Sequence, residues 1–331
     1  IGWNLGNTYE VYPGTFSWGN GTASQGLMDL VAASGFSTVR IPVAWSNHLL
    51  TEAPNYTIDP SWMTQVKTVV DYARNAGLFV MINIHWDGGW ADDLSYEAQP
   101  IIEAKQAALW KQIAKQFRDY DYHLLFAGGN EPHMDYNAPA EEYLAVANSM
   151  NQVFVNTVRA TGGRNAYRYL ISQGYNTNIA YTVSGYVLPT DEAENRQMVE
   201  VHYYDPYNFT LDTGANAVTT WEAAGWGDQA WLDEQFGLMK TSFIDKGVGV
   251  IVGEFCATYR GNLPTTNNVL ADHIASRNNF HYAVTKSAIE NGLVPCYWDI
   301  GEHDNNGSGL FNRSSLQVWN QAEVDAIMRA K

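Results

Sequence analysis

Two glutamates stand at or just beyond the ends of apolar runs that are typical of buried β-strands. Glu131 comes soon after residues 124–127, and Pro132 ends that run because proline has no N–H to donate. Glu254 closes the run formed by residues 250–253. A carboxylate at the end of a buried strand needs partners to remain charged. Two carboxylates in different surroundings are able to divide acid–base and nucleophilic roles, which is the chemistry that this pair predicts.

Further polar and aromatic side chains stand at the ends of the other apolar runs. They are Asn7, Arg40, His85, Asn130, His202, Tyr204 and Trp298. We expect Arg40 to bond Glu254 and lower its pKa, so that Glu254 remains an ionised nucleophile. Glu131 is then expected to stay protonated in a drier setting and to donate its proton to a leaving oxygen. This division between two carboxylates is the logic of glycoside hydrolysis.

Three of these side chains have predicted supporting roles in such a reaction. We expect Tyr204 to hydrogen-bond Glu254, His202 to relay protons to Glu131, and Asn130 to hold a sugar 2-hydroxyl. Taken singly, each residue type also has a structural interpretation, since arginines form ion pairs, histidines hydrogen-bond in cores and tryptophans pack. Their common position at the ends of successive strands favours a shared site.

The apolar runs recur along the whole chain and alternate with amphipathic helical patterns. The eight runs cover residues 2–5, 38–42, 78–84, 124–127, 169–172, 198–202, 248–254 and 293–298. The helical patterns cover residues 28–34, 61–76, 101–118, 141–160, 229–246, 271–290 and 316–330. This alternation predicts an α/β fold, a single (β/α)8 TIM barrel that occupies residues 1–331 as one domain. The carboxyl ends of its strands meet at one mouth, so the polar residues are expected to converge there.

The composition argues against two classes of partner. The chain has 331 residues and a formal net charge of −16, which disfavours binding to nucleic acid or to an anionic membrane surface. No apolar run approaches the roughly 20 residues of a membrane span. Cys256 and Cys296 are too few for a disulfide framework, and we expect them to be buried thiols. The chain begins without an initiator methionine or a signal peptide, which predicts a trimmed or mature product.

The strand-end motifs resemble those of glycoside hydrolase family 5, the retaining cellulase-type enzymes. The motifs that carry the resemblance span essentially the whole chain, at residues 2–7, 39–42, 82–86, 130–132, 201–204, 253–255 and 297–298. The resemblance implies that Glu131 is the acid/base and Glu254 the nucleophile, with neither metal nor cofactor. It also implies a supporting set, which is Arg40, His85, Asn130, His202, Tyr204 and Trp298.

Within that family the chain is similar to the broad endoglucanase and xyloglucanase branch, through residues 202–209 and 309–313. It departs from the branch at Trp86, where a second histidine is usual, at the small residues 127–129, and at residues 299–302. The resemblance implies a retaining, endo-acting hydrolase of β-1,4-glucans such as cellulose-type chains, mixed-linkage β-glucan or xyloglucan. Because the substrate is a polymer, we expect a secreted protein, and we expect it to be a monomer.

Several tryptophans in the loops that follow strands are candidates for sugar binding, because flat rings suit the apolar faces of sugars. The predicted substrate-binding residues are Asn7, Trp18, Trp86, Trp90 and Trp226. On the resemblance, Trp298 is expected to be the platform under the sugar next to the cleaved bond.

Three alternatives remain open at this point. The same site is compatible with mannan or xylan as the substrate. A metal-dependent barrel hydrolase would use His85, Asp87 and His202, although the His-x-His pair common after the first strand of such enzymes is absent. A carbohydrate-binding barrel without catalysis is the third alternative.

Overall fold

The computed structural model describes residues 1–331 and confirms the predicted barrel. Eight parallel strands close in sequential order, each hydrogen-bonded to its neighbours along the chain and β8 to β1. The strands are β1 Gly2–Leu5, β2 Thr38–Ile41, β3 Phe79–Asn83, β4 Leu124–Ala127, β5 Leu170–Gln173, β6 Gln197–His202, β7 Gly249–Phe255 and β8 Val294–Asp299. All eight lie within one or two residues of the apolar runs in the sequence.

Nine α-helices surround or cap the barrel. They are α1 Gln25–Ala33, α2 Pro60–Asn75, α3 Gln99–Gln116, α4 Glu141–Ala160, α5 Ile179–Gly185, α6 Tyr207–Thr210, α7 Gln229–Ser242, α8 Val269–Glu290 and α9 Gln321–Met328. Side-chain caps start several of them: Asp59 accepts from the N–H of Ser61, and Asp228 accepts from the N–H of Trp231. No helix has both the length and the apolar character needed to cross a membrane.

The sequence-based helix boundaries were wrong at the carboxyl-terminal end. Residues 316–330 do not form one helix, because Gln317–Val318 pairs as a short antiparallel strand with Phe311–Asn312. The side chain of Asn312 accepts hydrogen bonds from the N–H groups of two serines and so forms the connecting turn. Helix α9 therefore starts only at Gln321, where Asn320 supplies the cap.

The predicted and observed helices differ at two further places, both between strands. The pattern over residues 229–246 breaks after Ser242, where Phe243 takes a non-helical φ of −131°. A short 3-10 helix, Ile244–Lys246, completes the segment. Helix α5 had no counterpart in the sequence-based prediction, because it has only seven residues and a weak apolar pattern.

The barrel interior is built in layers, with an apolar layer below a polar one. The apolar layer contains Met81, Leu125, Ile171, Ile251 and Cys296. Alternate residues of the strands face outward, and their side chains pack against the helices. Cys296 lies in this layer and Cys256 is buried elsewhere, and both are free thiols, as expected.

Candidate active site

The two glutamates converge at the carboxyl end of the barrel. One carboxylate oxygen of Glu131, one of Glu254 and a ring nitrogen of His202 lie within 4.8 Å of one another. The Glu254 side chain is 7% exposed and that of Glu131 is 33% exposed, so the second reaches further into the cleft. The oxygens are closer than the roughly 6.5–9.5 Å that separates the carboxyls of inverting glycosidases, and they match the shorter spacing of retaining ones.

Glu254 is fixed by one donor from β2 and one from the segment that follows β6. The Nη1 of Arg40 donates to its Oε1 over 2.8 Å, and the hydroxyl of Tyr204 donates to its Oε2 over 2.9 Å. Burial and the adjacent Glu254 raise the pKa of Tyr204 well above its ordinary value, so this hydroxyl stays a donor. Both contacts agree with the sequence-based expectation. They hold the carboxylate in one orientation at the strand end.

Glu131 has a strained backbone that aims its side chain at His202. Its φ is +48°, in the left-handed region that glutamate rarely adopts. The side chain of Gln173 on β5 accepts its N–H over 2.7 Å, which holds this conformation. The Oε1 of Glu131 then lies 2.5 Å from Nδ1 of His202, the relay contact expected from the sequence.

Arg40 connects most of the polar layer. Its Nη2 donates to Oδ1 of Asn130 over 2.7 Å, and its Nη1 also donates to Oδ1 of Asn4 over 3.0 Å. Because the oxygen of the Asn130 amide is occupied, its NH2 group remains available to a ligand in the cleft. This arrangement suits the predicted contact of Asn130 with a sugar hydroxyl.

Sequence reasoning missed a third carboxylate inside the barrel, Glu200 on β6. Its Oε1 lies 2.9 Å from Nε of Arg40 and 3.1 Å from Nε2 of His202, and its side chain has no exposure. The sequence does contain a signal for this carboxylate. Side chains of a strand alternate between its two faces, so Glu200 and His202, which are two residues apart on β6, both face the barrel interior. A register shift after Val201 sets His202 opposite Glu254 on β7.

The expected separation of the two carboxylate pKa values was wrong for the free protein. Burial raises the pKa of Glu254, and the charges of His202 and Arg40 offset only part of this effect. Burial also raises the pKa of Glu131, but the close His202 ring outweighs it and holds that pKa below its ordinary value. The pKa of His202 rises to about 10, because the carboxylates around it outweigh its burial. At neutral pH one proton is therefore shared by the His202–Glu131 pair.

The glutamates open into a cleft with a volume of about 730 Å³. The side chains that line it are His85, Asn130, Glu131, Tyr136, Asn176, Thr177, Asn178, His202, Tyr204, Tyr207, Leu211, Glu254 and Trp298. Trp298 stacks parallel to His85, with ring centroids 5.8 Å apart and an interplanar angle of 7°. Sequence reasoning missed the lining residues on the loops after β4, β5 and β6, because loop positions carry no periodic signal.

The predicted sugar-binding residues outside this lining divide into two groups. Trp18, Trp86 and Trp226 are 40%, 45% and 46% exposed, so their rings are accessible to a ligand. Trp90 is half-buried: its indole donates to Asp87, its ring lies under the Lys105 ammonium, and it lines a smaller pocket beside His85 and Trp86. Asn7 lies outside the cleft lining as well, and the contacts that hold it use its backbone, which Glu10 and Asn20 bind.

The carboxylate of Asp87 has a structural role. Its Oδ1 accepts the backbone N–H groups of Trp45 and Ser46, and its Oδ2 accepts the Ser46 hydroxyl and the Trp90 indole. These four donors leave Asp87 poorly placed as a metal ligand, which weighs against the metal-dependent alternative.

The small residues before Glu131 have two different environments. A Cβ on Gly128 would lie 2.8 Å from the ring of Phe154, whereas a Cβ on Gly129 would meet nothing within 4 Å. The carbonyl of Gly128 also accepts the indole N–H of Trp110 over 2.9 Å. Tight packing of β4 against α3 and α4 therefore explains Gly128, and open space surrounds Gly129.

This difference predicts different effects on stability for two alanine substitutions. Gly128→Ala is expected to lower the free energy of unfolding by about 1–3 kcal/mol, because Phe154 must move to accommodate the methyl group. Gly129→Ala, the matched control, is expected to change it by less than about 0.5 kcal/mol. Urea unfolding followed by tryptophan fluorescence measures both. Equal destabilisation by the two substitutions would contradict the packing argument.

The comparisons with known proteins agree with this geometry. Residues 5–304 match the family model described as Cellulase (glycosyl hydrolase family 5). A xyloglucan-specific endo-beta-1,4-glucanase of Bacteroides ovatus is 43% identical, over 99% of this chain and 68% of that protein. Endoglucanase A of Paenibacillus barcinonensis is 38% identical, over 99% of this chain and 87% of that protein.

Solved structures show the same relationship. A Bacteroides ovatus GH5 xyloglucanase in complex with a XXXG heptasaccharide superposes with a TM-score of 0.94 at 41% identity, covering 100% of this chain and 74% of that one. A broad specificity endoglucanase from Bacteroides salanitronis gives a TM-score of 0.91 at 37% identity, covering 100% and 92% of the two chains. The closed barrel, the carboxylate pair and these matches lead to one assignment: the chain belongs to glycosyl hydrolase family 5, the cellulase family.

Proposed function

We propose that this protein is a retaining, endo-acting hydrolase of β-1,4-glucans, with Glu254 as the nucleophile and Glu131 as the acid/base. The observation that carries the proposal is the approach of the two carboxylates to within 4.8 Å, close enough for direct attack on a sugar held between them. The names of the relatives, which are endoglucanases and xyloglucanases, support the same reaction.

In the first step Glu254 attacks the anomeric carbon and forms a glycosyl-enzyme ester. The leaving oxygen takes the one proton of the His202–Glu131 pair: Nδ1 of His202 passes it over 2.5 Å to Glu131, and Glu131 donates it to the leaving oxygen. Arg40 and Tyr204 orient the attacking carboxylate, because each donates to one of its oxygens. The free NH2 of Asn130 donates to the sugar 2-hydroxyl, a contact that strengthens in the transition state.

In the second step water hydrolyses the ester, and Glu131 acts as the base. The proton removed from water returns to the His202–Glu131 pair, so the site regains its starting charge. Trp298 lies beside His85 in the lining of the cleft, where it serves as a platform for the sugar ring next to the cleaved bond. The residues in named roles bind the substrate, transfer the proton and form the ester without a metal or a cofactor.

A polymer screen with product sizing tests the substrate class. We expect release of oligosaccharides from xyloglucan and from unbranched β-glucans, because the relatives carry the names of xyloglucan-specific and broad specificity endoglucanases. Chain length should fall early in the reaction, since cleavage is internal. Hydrolysis of mannan or xylan alone would replace the glucan assignment, and sugar binding without any product would favour the carbohydrate-binding alternative.

A polymeric substrate implies action outside the cell, by a monomer that needs no partner chain to complete the cleft.

The titrating groups predict a bell-shaped pH dependence of kcat/KM with an alkaline limb far above neutral pH. Activity should fall at low pH as Glu254, whose pKa is raised, becomes protonated. It should fall at high pH as the His202–Glu131 pair loses its proton, near the His202 pKa of about 10. Initial rates on a soluble β-glucan from pH 4 to about 10.5 measure both limbs, with circular dichroism confirming that the protein stays folded. An alkaline limb already at pH 5–6 would contradict the shared proton.

A further inference from the structure

The carboxylate of Glu200 lies beneath the catalytic groups and touches neither glutamate. Its Oε1 lies 2.9 Å from Nε of Arg40, the arginine that holds Glu254, in an ion pair, and it is hydrogen-bonded over 3.1 Å to Nε2 of His202, the histidine that holds Glu131. Strand β7 leaves room for it, since a Cβ on Gly253 would come within 2.0 Å of its Oε1. Glu200 is thus connected to both halves of the carboxylate pair through one intermediate residue each.

The contact with Glu200 decides which nitrogen of His202 is active. An ionised carboxylate only accepts hydrogen bonds, so the Nε2 of His202 must carry a hydrogen. The nitrogen that gains and loses a proton is then Nδ1, which faces Glu131 at 2.5 Å. With the other tautomer, Nδ1–H would point at Glu131 permanently, and Glu131 would have no acceptor for its own proton.

Glu200 also sets the charge of the cluster. The titratable groups that face it come from several strands: Arg40 on β2, His202 on β6, Glu254 on β7, Cys296 on β8 and, through His202, Glu131 after β4. Although burial opposes it, Arg40 and His202 hold the pKa of Glu200 at about 2, so it stays ionised. Burial raises the pKa of Cys296 to about 12, so that thiol stays neutral.

Arg40, Glu200 and Glu254 together then carry one net negative charge, and the His202–Glu131 pair with its single proton carries none. Loss of that proton takes the cluster from −1 to −2. Without the charge of Glu200 the same loss takes the cluster from 0 to −1, which costs less electrostatic free energy. The charge of Glu200 and the tautomer that it fixes therefore both keep the proton on the His202–Glu131 pair.

We infer that Glu200 is a positioning residue, which keeps the transferable proton between His202 and Glu131 by fixing the Nε2–H tautomer and supplying a buried negative charge. The inference rests on the proposed hydrolysis. It assigns to Glu200 no contact with the substrate.

The test is the pH profile of the Glu200→Gln variant. Glutamine keeps the size of the side chain and an oxygen that can accept from Nε2, but it removes the charge. We expect the alkaline limb of kcat/KM to move to lower pH by at least about one unit, with KM changing less than about threefold. Glu200→Asp, which keeps the charge, should leave the limb near its wild-type position. An alkaline limb that does not move in Glu200→Gln would overturn the inference.

A matched control separates this effect from simple loss of stability. Glu323 is also a buried carboxylate bound by an arginine, since Arg277 donates to it over 2.8 Å, and it lies near a histidine, His281. This pair joins α8 and α9 and is not part of the cleft. Glu323→Gln is expected to lower Tm and to leave both limbs of the pH profile in place.

The wild-type protein supplies a second test that does not need a folded variant. In protein labelled with ¹⁵N-histidine, Nε2 of His202 should remain protonated across neutral pH, and its signal is identified by its loss in His202→Asn. A neutral His202 with the proton on Nδ1 and a bare Nε2 would overturn the inference. This readout is independent of turnover. If the wild-type protein cleaved no glycan, the proposed function would be refuted, and the NMR result would still decide whether His202 has the predicted tautomer.

Discussion

Glu254→Gln is expected to reduce kcat/KM on a soluble β-glucan by about 10⁴-fold or more, because no other side chain can form the glycosyl-enzyme bond. Glutamine keeps the shape of the side chain, and its carbonyl can still accept from Arg40, which now bonds Oε1 of Glu254 over 2.8 Å. The variant should therefore fold and bind the polymer. Reducing-end assays measure the loss of turnover.

Binding provides the control for this variant. Calorimetry with a β-glucan oligosaccharide should give a Kd within about threefold of the wild-type value, since the lost effect belongs to the reaction rather than to ground-state binding. Residual turnover within tenfold of wild type would mean that Glu254 is not the nucleophile. Loss of binding together with turnover would mean that the substitution disturbed the cleft.

Glu131→Ala is expected to show a loss that depends on the leaving group. On polysaccharides kcat/KM should fall by about 10²- to 10⁴-fold, because the leaving oxygen receives no proton. An aryl glycoside with a good leaving group needs no protonation, so its first step should be nearly unaffected. The second step loses its base, and rapid mixing should show a burst of phenol followed by slow turnover.

The leaving-group dependence distinguishes acid/base catalysis from a structural role. Glu131 also has a strained backbone, with a φ of +48°, and a structural effect of the substitution at such a position should not depend on the substrate. An equal loss on polysaccharide and activated glycoside, without a burst, would therefore remove Glu131 from the acid/base role.

The positions of the catalytic residues were predictable because barrel geometry converts chain order into spatial proximity. Glu131 and Glu254 lie in different halves of the sequence, yet both end apolar runs, and strand ends of a parallel barrel share one mouth. Arg40 was recognisable as a partner because a charge within the run on β2 has no solvent to face. The fold and the carboxylate pair therefore follow from the pattern of the runs.

Other features depend on distances that a linear pattern does not contain. The pKa order of Glu131 and Glu254 was predicted incorrectly because it depends on His202, whose Nδ1 lies 2.5 Å from one carboxylate and 3.7 Å from the other. Trp90 resembled the exposed tryptophans in sequence, but the Asp87 hydrogen bond turns its indole into the protein. Glu200 went unrecognised because its two partners, Arg40 and His202, were already assigned to Glu254 and Glu131.

The anomeric configuration of the first product tests the central claim most directly. Two successive displacements at the anomeric carbon, first by Glu254 and then by water, restore the original β configuration. Proton NMR of a cello-oligosaccharide or xyloglucan digest, recorded within the first minutes and before mutarotation, should therefore show the β-anomer of the new reducing end. Initial release of the α-anomer would show a single displacement and contradict the assignment of Glu254 as a covalent nucleophile.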